Sequence, residues 1–501
     1  MKNIKSIALG ILVSSSAFAQ AQETPLTLQS LSERVHERFS KEGLKIYLSQ
    51  DSSKWLKATC VMQAQARNDW NNPGSTVAGY SQSQTADVGL RRLRFQLFGY
   101  VTKHVFVYTQ FGMNNFNYLA PRKQDVFFHD AVAEYKFWEN KKYLSFGAGL
   151  TSMGGPLRYS APAVGSILMA DAPVYQQTTN DQNDQFGRKL GVYLKGQIGK
   201  FDYRVAVSKP FPVQTMVPTL GTPGASTFDT TYATNAKFAP TTPNLQYQAY
   251  LKWHFFDIES NDLAYNAGTY LGKKRMLTLG IGIQYQQNAM RYWDSTSASA
   301  PAAAPSGTTS QIAAENAVIN KHDVYHNLLI VGADLFYDSY INKEKGNAIS
   351  AYGAWSYADY GQNYLRYNGV MNMASGNNNT SSNITNAMVN NKNSYGNAFP
   401  MMGTGNTEFV QLAYKFKNEL LKKRGTLQPY VGVQVSQFQA LGYTSMVVGD
   451  AGINWLLSGY HRISLNYQSR PVYQQNVTTK NYTDIESARR GLLYLQYQIS
   501  F

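Results

Sequence analysis

The sequence predicts an all-β protein, a transmembrane antiparallel β-barrel of about 16 strands with a short N-terminal periplasmic helix. Only 15% of the 501 residues are charged, while 13% are aromatic, and soluble domains carry roughly 25% charged residues. From residue 55 onward, apolar residues recur at every second position, as in strands with one apolar and one polar face. The links between these segments alternate between short and long, the layout of outer-membrane barrels.

Composition excludes several other classes of protein. Mean hydropathy is −0.36, and the chain has no apolar run of about 18 residues, which excludes a bundle of transmembrane helices. The 24 Phe, 36 Tyr and 7 Trp residues are too many for a disordered chain. The single cysteine, Cys60, excludes a disulfide framework and a multi-cysteine metal site. The formal net charge is +15, and basic residues lie on the polar faces of the predicted strands.

Residues 1–19 are predicted to be a signal peptide. Lys2 and Lys5 precede the apolar residues 7–13, and Ala17 and Ala19 form a small-x-small cleavage site. We therefore expect cleavage after Ala19 and export of the chain.

Residues 20–53 are predicted to be a periplasmic segment that contains one amphipathic helix. Pro25 and the pair Ser30 and Glu33 are start signals, and Gly43 is a stop signal. The apolar positions that define the helix face are Leu28, Leu31, Val35 and Phe39. Their spacing fits two interpretations, a short oligomerising coil or a helix that rests on the main body.

Residues 54–501 are predicted to form the barrel. The alternating segments, in order, are residues 56–65, 93–97, 105–111, 131–135, 144–148, 190–194, 203–207, 245–255, 277–285, 329–337, 349–357, 410–416, 431–435, 447–455, 463–467 and 493–501. Two links break the long–short rhythm, because residues 257–274 are long for a turn and the link near Ala440 is short for a loop. A soluble β-sandwich could give similar alternation, but the signal peptide, the rhythm of the links and the Tyr-rich strand ends favour the barrel.

Three stretches resemble outer-membrane porins of the phosphate-selective porin O and P type. Residues 89–94 (GLRRLR) and the hairpin through residue 109 are similar to the arginine-rich early hairpin of that family. Residues 147–156 and 158–175 resemble its passage from a strand into a constriction loop. Residues 494–501 (YLQYQISF) are similar to the last strand of outer-membrane barrels.

This resemblance implies a homotrimeric channel in the outer membrane of a Gram-negative cell. Small hydrophilic solutes would diffuse passively through a basic lumen that favours anions such as phosphate. The partners it implies are outer-membrane lipid, these solutes, and the barrel assembly machinery, which would recognise the C-terminal Phe501.

Basic residues on the polar strand faces are the candidate pore lining. These anion-binding candidates are Arg92, Arg94, Lys136, Lys195, Arg204, Lys252, Lys415 and Arg462. Arg92 and Arg94 lie two residues apart on one strand, about 7 Å, close enough to pass on an oxyanion. Alternatively, these arginines pair with loop acids, for which Asp171, Asp181 and Asp184 are available. Asp130 and Glu134 depart from a purely basic lumen.

Residues 152–187 are the predicted constriction loop. The Gly-Gly-Pro run at 154–156 permits a sharp inward fold, and Arg158, Tyr159 and Tyr175 are the residues expected to contact a solute. The alternative is an extracellular loop folded outward.

No enzyme, cofactor or metal is predicted. The chain has no nucleophile elbow, phosphate-binding glycine loop or zincin helix. His322 and His326 would be about 13 Å apart on a strand, too far to share a metal. A nucleic-acid partner does not fit an exported barrel. The alternatives left open are an outer-membrane barrel hydrolase and a non-selective solute-binding channel.

Overall fold

The computed structural model describes residues 44–77, 79–118, 126–176, 188–211, 235–239, 244–293, 323–369, 388–389, 395–475, 482–484 and 489–500. The predicted signal peptide, the predicted helix and Phe501 lie outside these ranges. The chain divides into residues 1–46 and 47–501, and the description that follows concerns the second unit. No helix within the described ranges is long and apolar enough to cross a bilayer.

Sixteen long strands account for most of the described residues. They are β1 (Trp55–Trp70), β2 (Gln84–Tyr100), β3 (Val105–Asn117), β4 (Phe127–Trp138), β5 (Lys141–Thr151), β6 (Lys189–Ile198), β7 (Phe201–Lys209), β8 (Gln246–His254), β9 (Met276–Trp293), β10 (Asp323–Asn342), β11 (Asn347–Asp359), β12 (Gly405–Lys415), β13 (Thr426–Phe438), β14 (Ser445–Ser458), β15 (His461–Arg470) and β16 (Arg490–Ser500).

These strands form a closed antiparallel barrel. Each strand pairs with its neighbour in sequence, and β16 pairs with β1 in a register that runs from Val61 opposite Ser500 to Asp69 opposite Leu492. Closure leaves no unpaired sheet edge. The predicted fold class, an all-β barrel of sixteen strands, is therefore confirmed.

Alternation along each strand separates an outer from an inner face. On β12, Val410 is 60% exposed and Leu412 is 49% exposed, whereas Gln411 between them is 1% exposed. The same pattern places Phe95, Phe146, Leu194, Ile281 and Val433 on the outer surface. Monomeric soluble proteins rarely expose so much contiguous apolar surface, so the outer face is built to contact an apolar medium.

Short and long links separate to opposite ends of the barrel. The turn end carries tight links such as Gly199 and Lys200 between β6 and β7, and Gly459 and Tyr460 between β14 and β15. The loop end carries the long links, and the short link near Ala440 is a 3-10 turn, Gln439–Leu441. The other 3-10 turns are Arg158–Ser160, Val164–Ser166, Val174–Gln176 and Lys422–Arg424.

Short strands complete the described part of the chain. They are Leu44–Tyr47; a hairpin of Thr76–Val77 and Tyr80–Ser81; Lys237–Phe238, which pairs with β9; a three-stranded sheet of Leu365–Asn368, Met388–Val389 and Phe399–Gly403; and a pair formed by Tyr473–Gln475 and Tyr482–Asp484.

An aromatic cluster covers one sector of the loop end. Phe238, Tyr360, Tyr364, Phe399 and Phe438 are all buried there, and the rings of Tyr360 and Tyr364 stack with centroids 4.8 Å apart. Because Tyr360 follows β11 and Phe438 ends β13, the cluster ties the long link between β11 and β12 to the barrel rim.

An arginine on the outer face tests which medium that face contacts. Ile281 lies within the apolar band of β9 and is 50% exposed. We expect Ile281→Arg to lower the free energy of unfolding in lipid vesicles by about 2–4 kcal/mol, because a cation is then held in hydrocarbon. Ile341→Arg, on the outer face at the turn end of β10, is the matched control and should cost about 0–1 kcal/mol. Equal effects of the two substitutions in denaturant titrations would show that Ile281 does not face lipid.

Candidate functional site in the barrel lumen

Two segments fold into the lumen from opposite ends. We name residues 152–176, which follow β5, the outer loop, and residues 255–275, between β8 and β9, the turn segment. The outer loop turns inward at Gly154 and Gly155, whose φ angles are +93° and +69°. A side chain at Gly155 would clash with Ser160, since its Cβ would lie 2.3 Å from that residue's Cβ, so this bend requires glycine.

Arg158 is the central contact of the interior. Its main-chain N–H donates to Asp334 on β10 at 2.7 Å, and its Nε donates to the carbonyl of Ala267 at 2.9 Å. Its guanidinium pairs with the Glu259 carboxylate and lies 3.7 Å from the ring centroid of Phe336. Arg158 is fully buried, so the residue expected to contact a solute instead joins the outer loop to the turn segment.

Main-chain hydrogen bonds join the same two segments. The N–H of Ala163 donates to the carbonyl of Asn266 at 2.9 Å, and the N–H of Asn266 donates to that of Ala161 at 2.8 Å. The N–H of Gly268 donates to Ser166 at 3.1 Å. The two segments therefore meet inside the barrel as a small piece of parallel sheet.

The turn segment crosses the lumen. On one side, Lys142 pairs with Asp262 at 2.8 Å, and Arg204 donates to the carbonyl of Ala264 at 2.6 Å. On the other side, Asp338 on β10 accepts hydrogen bonds from the N–H groups of Tyr270 and Gly272 at 3.0 and 2.9 Å. The interpretation of residues 257–274 as a turn at the barrel rim is therefore corrected. Glu259, within this link, lies in the lumen.

Charge pairing holds the Glu259 carboxylate ionised. Burial alone would raise the pKa of this carboxyl. The charges of the Arg158 guanidinium and the Lys252 ammonium outweigh burial and lower the pKa to about 2. For Asp262, burial also acts to raise the pKa, and the charge of Lys142 outweighs it and lowers the pKa. Glu259 and Asp262 are therefore anions at neutral pH.

Asp171 ties the far end of the outer loop to β2. Its carboxylate accepts from Arg91 Nε and Arg92 Nη2, both at 2.8 Å. Burial acts to raise the pKa of Asp171, but the two guanidinium groups hold it well below its ordinary value. Of the three loop acids offered as arginine partners, Asp171 is used, while Asp181 and Asp184 lie outside the described residues.

Arg91 was missed by the strict alternation of strand faces. The register shifts between Gln63 and Ala64, so that Arg92 pairs with Gln63 and Leu90 with Ala64. This β-bulge turns Arg91 inward beside Arg92. The available signal was that strict alternation would place Arg91 on the apolar face of Leu93 and Phe95. A similar shift turns His129 inward on β4.

Arg94 lacks a carboxylate partner among the described residues. Its guanidinium contacts His129 Nε2 at 2.5 Å, donates to the carbonyl of Met113 at 3.1 Å, and donates to Asn114. Arg92 and Arg94 lie on the same inner face, as predicted, but only Arg92 is neutralised by a loop acid.

The other predicted lining residues also face inward and are held by protein groups. Lys195 pairs with Glu134 at 2.7 Å, and Lys252 approaches Asp202 at 3.6 Å. Lys136 Nζ donates to the carbonyl of Glu139 at 2.5 Å, and Lys415 Nζ donates to the carbonyl of Gly346 at 2.5 Å. Arg462 donates to the carbonyls of Ile167, Leu168 and Met169 at 2.7, 3.2 and 3.0 Å. Arg204 donates to the carbonyl of Leu263 at 3.1 Å, and the Tyr159 hydroxyl accepts from Gln411 at 2.7 Å.

Burial of these side chains changes the expected picture of the lumen. Lys195, Lys252, Lys415, Arg92, Arg94, Arg462 and Tyr159 are all buried, while Tyr175, Lys136 and Arg204 are half-buried. A wide water-filled pore would leave inward side chains exposed. In this conformation, the two segments fill much of the cross-section instead.

Within the described residues, one cavity lies against the outer loop and another lies at the turn end. The outer cavity has a volume of about 40 Å³ and lies against Asp171, Phe399, Phe409 and Asp450. The turn-end pocket is about 450 Å³ and is lined by Lys273, Lys343 and Lys415, with Glu419 as its acid. Among the residues that the structure describes, no group of three or more His, Cys, Asp or Glu side chains could hold a metal ion.

The known proteins found by comparison are distant in sequence. No protein-family model and no curated protein matches the sequence. Similar solved structures include OprB of Pseudomonas putida, 10% identical over 89% of this chain and 94% of that chain, with a TM-score of 0.46. OmpT of Vibrio cholerae, an outer membrane protein in its trimer form, is 10% identical over 89% of this chain and 99% of that chain, with a TM-score of 0.39. A mutant of the Rh. blastica porin is 10% identical over 89% of this chain and 100% of that chain, with a TM-score of 0.39. The resemblance to phosphate-selective porins stays a prediction.

Removing the carboxylate of Glu259 tests the contact between the segments. We expect Glu259→Gln to lower the free energy of unfolding by about 3–5 kcal/mol, because it leaves the buried Arg158 cation uncompensated. Asp262→Asn is the matched control. It breaks a half-exposed pair with Lys142 and should cost about 0–1 kcal/mol. Losses of equal size in denaturant titrations would contradict a central role for the buried pair.

Acid should weaken the same contact in a defined range. The pKa of Glu259 lies at about 2, below its ordinary value of 4.5, so its stabilisation is complete above that ordinary value and is lost as pH falls toward 2. The stability difference between the unchanged protein and Glu259→Gln should be constant above about pH 5 and shrink below it. A difference that stays constant down to pH 2 would assign the effect of the substitution to something other than the charge.

Proposed function

We propose that the protein is an outer-membrane channel for the passive diffusion of small hydrophilic solutes. The observation that carries this proposal is the closed barrel with an apolar outer face, a polar inner face, one cavity at the outer loop and another at the turn end. An apolar exterior suits lipid, and a polar interior suits water and solutes. The interior contacts describe a constricted state of this channel, in which two segments narrow the route.

We further propose a preference for anions. Most lumenal bases are neutralised, since Arg92 shares Asp171, Arg158 pairs with Glu259, and Lys195 pairs with Glu134. Among the described residues, the preference therefore rests on the bases without an acid partner, Arg94 on β2 and Arg462 on β15, and on the lysines of the turn-end pocket. Fixed positive charge raises the local concentration of anions and lowers their barrier to passage. Multivalent oxyanions such as phosphate are the solutes that gain most from it.

Localisation and assembly follow from the same proposal. The signal peptide at residues 1–19, recognition of Phe501 by the barrel assembly machinery, and a homotrimer in outer-membrane lipid stay predictions. The exposed apolar faces of the barrel supply surface for both lipid and neighbouring copies.

Reversal potentials in a salt gradient test the channel and its selectivity together. The purified protein in a planar bilayer should give conductance steps and a reversal potential of the sign set by anions. Replacing both Arg92 and Arg94 with Gln should move that potential toward zero, because the charge of Arg94 is lost and Asp171 loses one of its two guanidinium partners. The double variant Lys103→Gln and Lys141→Gln removes equal charge from exposed turns and should leave the potential nearly unchanged.

The possible failures are distinct. Absence of conductance steps would exclude the channel, whereas steps with cation preference would exclude only the anion proposal. An unchanged potential in the arginine double variant would show that Arg92 and Arg94 have a structural role.

A further inference from the structure

We propose that the turn-end pocket is a binding site for a small organic dianion, a dicarboxylate whose two charges flank a short apolar body. This inference rests on the proposed channel function, since it names a class of solute that would be held at one end of the barrel. The pocket has a volume of about 450 Å³, which lies within the roughly 300–1,000 Å³ of sites that hold small molecules.

The pocket is already formed by chain segments that are bonded to one another. Its walls are the end of the turn segment, the β10–β11 turn, the β12–β13 link and the β14–β15 turn. The N–H of Asn418 donates to the carbonyl of Lys345 at 2.8 Å, and a Cβ added at Gly346 would lie 2.2 Å from Asn418 Nδ2. The N–H of Gly272 donates to Asp338 at 2.9 Å. A ligand could therefore bind without displacing any of these segments.

Three lysines give the pocket its positive charge. Lys273 and Lys343 are exposed, and neither forms an ion pair among the residues that the structure describes. Lys415 is buried, and its ammonium donates to two protein oxygens at 2.5 and 2.7 Å, which leaves one of its three N–H groups. Glu419 is the acid of the lining. The excess of two positive charges matches a dianion.

The carboxylate nearest to this lining is already occupied by protein groups. Asp338 accepts from the N–H groups of Tyr270 and Gly272 and from the hydroxyls of Thr269 and Ser350. Because these four hydrogen bonds engage its carboxylate, it competes weakly with a ligand for the lysine ammonium groups.

Apolar side chains in the same lining favour an organic ligand over an inorganic ion. Leu271 and Leu456 are buried, while Tyr340 and Leu457 are half-buried. A small inorganic anion gains nothing from these groups, because it has no apolar surface to remove from water. A ligand with CH₂ groups between its carboxylates would place them against these side chains and gain from their burial.

Other lumenal bases do not offer the same combination. Lys195 pairs with Glu134. Arg94 and Arg462 have no acid partner among the described residues, but they are 4% and 1% exposed and donate to protein oxygens. Within the described part of the chain, unpaired ammonium groups border a cavity of ligand size at the turn-end pocket.

Isothermal titration calorimetry of the full-length protein in detergent tests the apolar part of the site. The probe is adipate, which carries four CH₂ groups between its carboxylates, and succinate, with two, is the matched comparison. We expect adipate to bind roughly tenfold more tightly than succinate, because each buried CH₂ group contributes up to about fourfold. Sulfate, a dianion without CH₂ groups, should bind more weakly than either.

Two double variants test the charged part of the site. Lys273→Gln with Lys343→Gln should weaken adipate binding roughly tenfold, because two ammonium groups that can bind its carboxylates are lost. Lys103→Gln with Lys141→Gln removes equal charge from turns outside the pocket. This matched control should change the affinity less than about twofold, since salt screens distant exposed charges.

The contrary results are specific to this site. Sulfate binding as tight as adipate binding, or equal losses in the two double variants, would replace the pocket with a general attraction of anions to a basic surface. Absence of adipate binding heat at both 10 and 30 °C would also overturn the site. Calorimetry does not require conductance, so these failures leave the channel standing. Adipate binding without conductance steps in a planar bilayer would retain the site and exclude the channel.

Discussion

The buried ion pair between Arg158 and Glu259 is the contact on which the arrangement of the interior depends. One partner comes from the outer loop and the other from the turn segment, so the pair joins chain that entered the barrel from opposite ends. Both charges are withdrawn from water, and each compensates the other. Main-chain hydrogen bonds around Asn266 also join the two segments. The carboxylates of Asp334 and Asp338 on β10 accept further hydrogen bonds from them.

Many basic side chains in the lumen therefore pair with acids and stabilise the arrangement of the interior. The formal charge of +15 suggests a strongly basic pore, yet Arg91 and Arg92 share Asp171, and Lys195 has Glu134. What remains for solutes is a small set of bases without acids nearby. The conformation described is constricted, because the outer loop and the turn segment fill much of the lumen.

The sequence predicted the strands well because their signal is local. A strand with one apolar face alternates at every second residue, and this identified the barrel and the inward side of Arg92, Arg94 and Arg462. Bulges break that rule by inserting one residue, which is why Arg91 and His129 were missed. The inward path of the turn segment could not be predicted, because Glu259 meets Arg158 only across 101 residues of chain.

Asp334 and Asp338 lie four residues apart on the inner face of β10, about 13 Å along one strand. The first accepts from the outer loop and the second from the turn segment. One strand therefore carries the docking points for both intruding pieces of chain. Neither piece can complete these contacts until β10 is paired in the sheet, so the filling of the lumen follows the pairing of β10 and cannot precede it.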